Sequence, residues 1–148
     1  MADKTVDMAF SPCPNDTFIF HAMLHELVDR GDLDFRHYMD DIEALNKKAV
    51  LKTFPVTKLS FFAYLKLRKY YAILDAGSAL GFGCGPLLIC KNSGINLKTA
   101  KIAIPGELTT ANLLLKLWNP KIKNCVITRF DNILAGVKSG ELDRKSVV

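Results

Sequence analysis

Val6-Asp7-Met8-Ala9-Phe10-Ser11-Pro12-Cys13-Pro14-Asn15-Asp16-Thr17-Phe18-Ile19-Phe20 decides the fold of this chain, because the hydrophobic period changes inside it. Val6 to Phe10 alternates as a short strand does, whereas Phe18, Ile19, Ala22, Met23 and Leu27 recur at helical spacing. The two prolines sit at the change. Pro12 and Pro14 fix φ at their own positions and push Ser11 and Cys13 toward extended backbone, which leaves Asn15 or Asp16 to cap the helix. A loop of this kind at a helix start faces ligand with N–H groups that favour anions, so Asn15 and Asp16 are expected at a binding site.

The same plan repeats outward. Asp34 to Tyr38 reads as a strand, and Asp40 is expected to cap a helix in which Glu43 completes a capping box and Ile42, Leu45 and Ala49 form the buried stripe. Pro55 to Ser60 leads into a helix carrying Phe61, Phe62, Tyr64 and Leu65, and Tyr71 to Leu74 is expected to return as a strand. Farther on, Lys101 to Ile104 is a strand, Pro105-Gly106 breaks it, and Thr109 or Thr110 caps a helix running to Leu117 and Trp118. Val126 to Thr128 is a strand, Asp131 is expected to cap the next helix, and Gly140 stops it. Arg144 to Val148 is too short and polar to finish a strand begun at Glu141. Alternation of strands and helices implies an α/β layer structure with a largely parallel sheet, whose ligands collect beyond the carboxyl ends of the strands. Polar Asn92 to Lys98 suggests a lobe boundary, dividing the chain into 1–93 and 94–148.

Composition excludes several classes. The chain has 148 residues, 49% of them hydrophobic and 24% charged, as in globular domains, so disorder is excluded. Its net charge of +5 comes from dispersed Lys and Arg that do not interleave with aromatics, which argues against nucleic acid as a partner. No stretch reaches the length of a membrane span, and the N-terminus is not a secretory signal. Cys13, Cys84, Cys90 and Cys125 form no CxxC pair and are expected as reduced thiols in a cytoplasmic protein. His21 and His25 stand at i, i+4, but without the zincin Glu they read as a solvated helix face, and no metal is expected. Gly81, Gly83 and Gly85 fit neither a P-loop nor GxGxxG and precede a strand, so they are read as backbone freedom where the chain crosses between lobes.

With these residues in view, the chain resembles the 1,4-dihydroxy-6-naphthoate synthases, lyases of the futalosine route to menaquinone. The resemblance runs from about Val6 to Asp143. It rests on residues 11–20, on Asp41-Ile42-Glu43-Ala44-Leu45-Asn46, on Thr57-Lys58-Leu59-Ser60-Phe61, on Gly83-Cys84-Gly85-Pro86-Leu87-Leu88, and on Pro105-Gly106 with Thr109-Thr110-Ala111. It implies a two-lobed fold like that of periplasmic binding proteins of the second type, here incomplete at the C-terminus. It also implies a cytoplasmic enzyme that cleaves cyclic dehypoxanthine futalosine without metal or organic cofactor, a His abstracting the proton. Lys58, Leu59 and Ser60 match one substrate-contacting block, and Thr110 and Ala111 match a second. Ser60 and Thr110 would offer hydroxyls and backbone N–H groups to a carboxylated aromatic substrate, and Lys58 its ammonium or its backbone.

The family's Gly-Glu-(apolar)-Asp stretch, here Gly140 to Asp143, continues to a His-Glu pair that holds the base. Arg144 to Val148 stands in that place, and none of His21, His25 or His37 matches, so the chain is expected to be a catalytically impaired N-terminal fragment with incompletely packed helices after Gly94. Two alternatives share the architecture: a solute-binding module for a small carboxylate, and the related chorismate-dehydrating enzymes, against which Ser11 to Thr17 argues.

Overall fold

The computed structural model describes residues 4–79, 81–83, 85–90, 96–140 and 144–147. The chain divides into two compact units, Met1–Leu80 and Gly81–Val148. The boundary thus falls in the glycine-rich loop and not near residue 93, because the strand Leu87–Cys90 hydrogen-bonds within the second unit. Most of the expected linker Asn92 to Lys98, together with Cys84 and Glu141 to Asp143, lies outside the described residues.

In the first unit, β1 (Lys4–Phe10) runs parallel between β2 (Leu33–Met39) and β3 (Val56–Thr57). Met8, Ala9 and Phe10 are all buried, as a strand covered on both faces requires. Alternation sends Ala9 to one face, where it meets Leu45 and Phe54, while the Phe10 ring meets Phe20, 4.9 Å away between centroids. Leu45 belongs to α2 (Ile42–Val50) and Phe20 to α1 (Pro14–Leu24), so the helices that follow β1 and β2 each supply a cover. Across the β1–β2 ladder Asp7 faces Arg36, and their bidentate pairing (2.6 and 2.8 Å) holds the Asp7 carboxyl below the usual range.

The second unit repeats the scheme with β5 (Ile102–Ile104), α4 (Thr110–Trp118), β6 (Cys125–Ile127) and α5 (Phe130–Ser139). Ile102 and Ile104 pack with Leu115 and Ile122 on one face of β5, and Ala103 packs with Ile133 and Val137 on the other. The outer side of α4 exposes Leu117 and Trp118, at 69% and 63%. Gly140 ends α5 at φ 85, a left-handed position open to glycine.

Four local expectations are corrected. The cap of α2 is Asp41, whose Oδ1 accepts from the N–H groups of Glu43 (3.0 Å) and Ala44 (3.1 Å); Asp40 instead pairs with Lys48 at 2.6 Å. Arg129, not Asp131, precedes the first residue of α5, and Asp131 lies in the first turn, where its charge suits the helix dipole. Tyr71 to Leu74 forms no strand; Ile73 and Leu74 are exposed, and the segment is held by the Tyr71 hydroxyl donating to Phe54 O at 2.9 Å. Finally, Arg144–Val147 does form a strand, β7, inside the order β4-β7-β5-β6, antiparallel to β4 (Leu87–Cys90) and parallel to β5. Ladder bonds use backbone groups, so polar side chains did not prevent it.

Candidate functional site

In a parallel sheet every strand points its carboxyl end to one edge, so the loops after β1, β2 and β3 gather there. Lys58 N–H donates to Ala9 O at 2.7 Å and Asp40 N–H to Phe10 O at 3.3 Å, which ties the ends together. Asp16 lies in this edge and is 4% exposed. It does not cap α1: Pro14 occupies the first turn, where a missing N–H costs nothing, and Cys13 takes the cap position with extended backbone and no side-chain bond. Asp16 instead reaches back, its Oδ2 accepting from the Ser11 N–H (3.1 Å) and the Ser11 hydroxyl (2.7 Å). Asn15, beside it, is exposed.

The other Asp16 oxygen, Oδ1, stands 3.4 Å from Lys58 Nζ, which also donates to Gly77 O at 3.3 Å. Gly77 offers that carbonyl from φ 80, a conformation L side chains rarely adopt. Lys58 therefore spends its ammonium on an internal carboxylate and a loop carbonyl, joining the ends of β1 and β3 to the loop at 77. Charge in this part of the site is largely compensated within the protein.

Ser60 follows two residues on, half-buried, immediately before α3 (Phe61–Leu67). Its N–H donates to Asn46 Oδ1 at 2.9 Å, and Asn46 Nδ2 donates back to Ser60 Oγ at 3.1 Å. The backbone N–H expected to meet a ligand is thus already taken, which leaves the hydroxyl as the group Ser60 can offer. Leu59, between Lys58 and Ser60, is half-buried. Asn46 was missed in the sequence, although a signal was present: it shares the helical stripe of Ile42, Leu45 and Ala49, where an amide must find internal partners.

The carboxyl edge of the second unit has a parallel construction. Thr109 caps α4, its Oγ accepting from Asn112 N–H (3.4 Å) and donating to Gly106 O (2.8 Å). Asn112, fully buried, donates from Nδ2 to Glu107 O at 2.8 Å, while its Oδ1 has no partner among the described residues. Thr110 begins the helix half-buried, and Ala111 is 1% exposed. The structure thus gathers Asp16, Lys58 and Ser60 at one edge and Thr110 and Ala111 at another, each within its own unit.

His21 on α1 and His25 just beyond its end are exposed with ring centroids 4.4 Å apart, and His37 is exposed on β2 against the Phe10 ring. Among the described residues no three His, Cys, Asp or Glu side chains cluster as a metal site would need. No described helix is long and apolar enough to cross a membrane. Cys13, Cys90 and Cys125 are free thiols.

Comparison with known proteins gives this geometry a context. Residues 6–147 match a family model described as menaquinone biosynthesis. The chain is 39% identical over 98% of its length to a 1,4-dihydroxy-6-naphthoate synthase of Thermus thermophilus, and 33% identical over its whole length to one of Streptomyces coelicolor. It covers 53% and 54% of those relatives, so it spans about half their length. A solved structure from Archaeoglobus fulgidus matches all of the chain, and 55% of its own, at 39% identity and a TM-score of 0.92. The periplasmic aliphatic sulphonate binding protein of Escherichia coli matches 98% of the chain, and 54% of its own, at 11% identity with a TM-score of 0.56, which establishes a periplasmic-binding-protein-like α/β fold. The chain belongs to the menaquinone-biosynthesis family.

Proposed function

We propose that this chain supplies substrate-binding machinery of a 1,4-dihydroxy-6-naphthoate synthase, a cytoplasmic carbon–carbon lyase that releases the dihydroxynaphthoate from cyclic dehypoxanthine futalosine. The observation that carries this reading is the 39% identity over 98% of the chain to a protein of that name. Ser60 and Thr110 would provide hydroxyl groups to the oxygens of a carboxylated aromatic substrate, with Leu59 and Ala111 flanking them and Asn15 at the open end of the first loop. Asp16 and Lys58 would act mainly by fixing that loop, since each is engaged by the other.

General base catalysis is a separate requirement. In the resembling enzymes the base is a His beyond the Gly-Glu-(apolar)-Asp stretch, where this chain reads Arg144 to Val148. His21, His25 and His37 are all exposed, on α1, just beyond its end and on β2. None of the three matches that base, and the role proposed for residues 1–148 is to bind the substrate. Calorimetric titration with cyclic dehypoxanthine futalosine tests it. Saturable binding is expected, and absence of binding would overturn the proposed function.

A further inference from the structure

We propose that Asn46 is a positioning residue that turns the Ser60 hydroxyl proton away from the helix and toward ligand, and so favours a substrate oxygen carrying lone pairs, such as a carboxylate, at that point. The inference rests on the function proposed above and adds the residue that governs one of its contacts. It follows from assigning every polar atom of one buried amide.

Asn46 is fully buried in α2. Its Oδ1 must be the atom facing Ser60 N–H at 2.9 Å, because an N–H can only meet an acceptor. Nδ2 is then oriented without freedom. One of its protons goes to Ser60 Oγ at 3.1 Å, and the other points at Glu43 Oε2, 3.4 Å away and itself only 4% exposed. The Glu43 carboxylate independently supports this orientation, since a flipped amide would set two oxygens against each other.

The consequence falls on Ser60. A hydroxyl has one proton and two lone pairs, and here a lone pair already receives the Asn46 proton. Its own proton is turned elsewhere, and among the described residues no acceptor takes it. Ser60 is half-buried, so that proton is available to a ligand. An acceptor in place of Nδ2 would reverse the polarity by drawing the hydroxyl proton inward.

The E43Q/N46D pair tests this without changing net charge. The Asp at position 46 keeps an acceptor for Ser60 N–H but presents its second oxygen to Ser60 Oγ. Affinity for 1,4-dihydroxy-6-naphthoate, measured by calorimetry on the full chain, is expected to fall about 10- to 100-fold, as loss of a hydrogen bond to a charged group implies. S60A should lose as much, and E43Q/N46D/S60A no more than either. Losses that add would mean that position 46 acts on the fold or the field and not through the hydroxyl, and would overturn the proposal. A second reading does not depend on ligand: the Asn46 side-chain amide resonances should be protected from exchange in the wild type and shift in S60A. Unprotected resonances, or none that respond to S60A, would also overturn it. A wild type that ignores the naphthoate would sink the proposed function, while those resonances would still decide the role of Asn46.

Discussion

Lys58 Nζ stands 3.4 Å from Asp16 Oδ1, joining a residue after β3 to one in the first turn of α1. Both side chains are largely enclosed, with 21% and 5% exposure, so neither charge is well served by water. The pair organises the edge on which Ser60 lies.

Replacing Asp16 by Asn keeps the shape but removes the charge that Ser11 and Lys58 address. D16N is expected to lose about 1.5–3 kcal/mol, the usual range for hydrogen bonds to a charged group. K58M should lose less, because Asp16 keeps both donors of Ser11. Urea unfolding followed through tyrosine fluorescence checks this, since all four tyrosines lie in the first unit and Trp118 in the second. A K58M loss larger than that of D16N would contradict it.

Adjacent aspartates before α2 have separable roles. D41A should cost about 0.5–2 kcal/mol by stripping the N-cap. D40A removes the partly exposed pair with Lys48, worth about 0–1 kcal/mol, and the Asp40 Oδ1 acceptor of the Asp41 N–H, whose donor is only part-buried. Thermal unfolding of the two variants should rank them in that order.

Those corrections mark how far the sequence could be read. The change of period located both parallel cores, but Val6 to Phe10, read as alternating, is buried continuously from Met8 to Phe10, as a doubly covered strand requires. Caps were harder. Asp40 and Asp41 are chemically alike, and only backbone extension at residue 41 decides between them. At α1 the answer was present in Pro14, which belongs inside the first turn and leaves Cys13 as the cap. Tyr71 to Leu74 has strand-forming residues but no strand to pair with, and β7 has unpromising residues placed between two strands that accept it; pairing partners are not a local property. Of the candidate site, Lys58 and Ser60 were legible as a block, but their engagement by Asp16 and Asn46 depends on contacts between residues 42 and 14 positions apart.

Burial raises the Tyr71 hydroxyl above its ordinary range. The folded state therefore holds that proton where the unfolded chain releases it, and stability contributed by this group is present below about pH 10 and declines as pH rises through the folded value. Y71F removes the titration along with the bond to Phe54 O. Wild type should lose more stability than Y71F between pH 9 and about 11; parallel curves would contradict the assignment.

Cys125 packs against the cluster of Ile102, Ile104 and Leu115, and burial pushes its thiol up, against a smaller opposing effect of Lys116. Since the thiolate is the nucleophile, its alkylation by iodoacetamide at pH 8 should run slower than that of a free cysteine, with its rate still rising above pH 9. Mass spectrometry of the modified peptides reads the rate, and alkylation as fast as free cysteine would contradict it.

The chain spans about half the length of the curated relatives it matches, and the function proposed for it requires that it hold a carboxylated naphthalene through groups such as the Ser60 hydroxyl. Calorimetric titration of the full chain with 1,4-dihydroxy-6-naphthoate, and separately with succinate, tests it most directly. Saturable binding of the naphthoate, at least about tenfold tighter than succinate and weakened in S60A, is the predicted result. Equal affinity for both anions, or no heat with the naphthoate, would contradict the account.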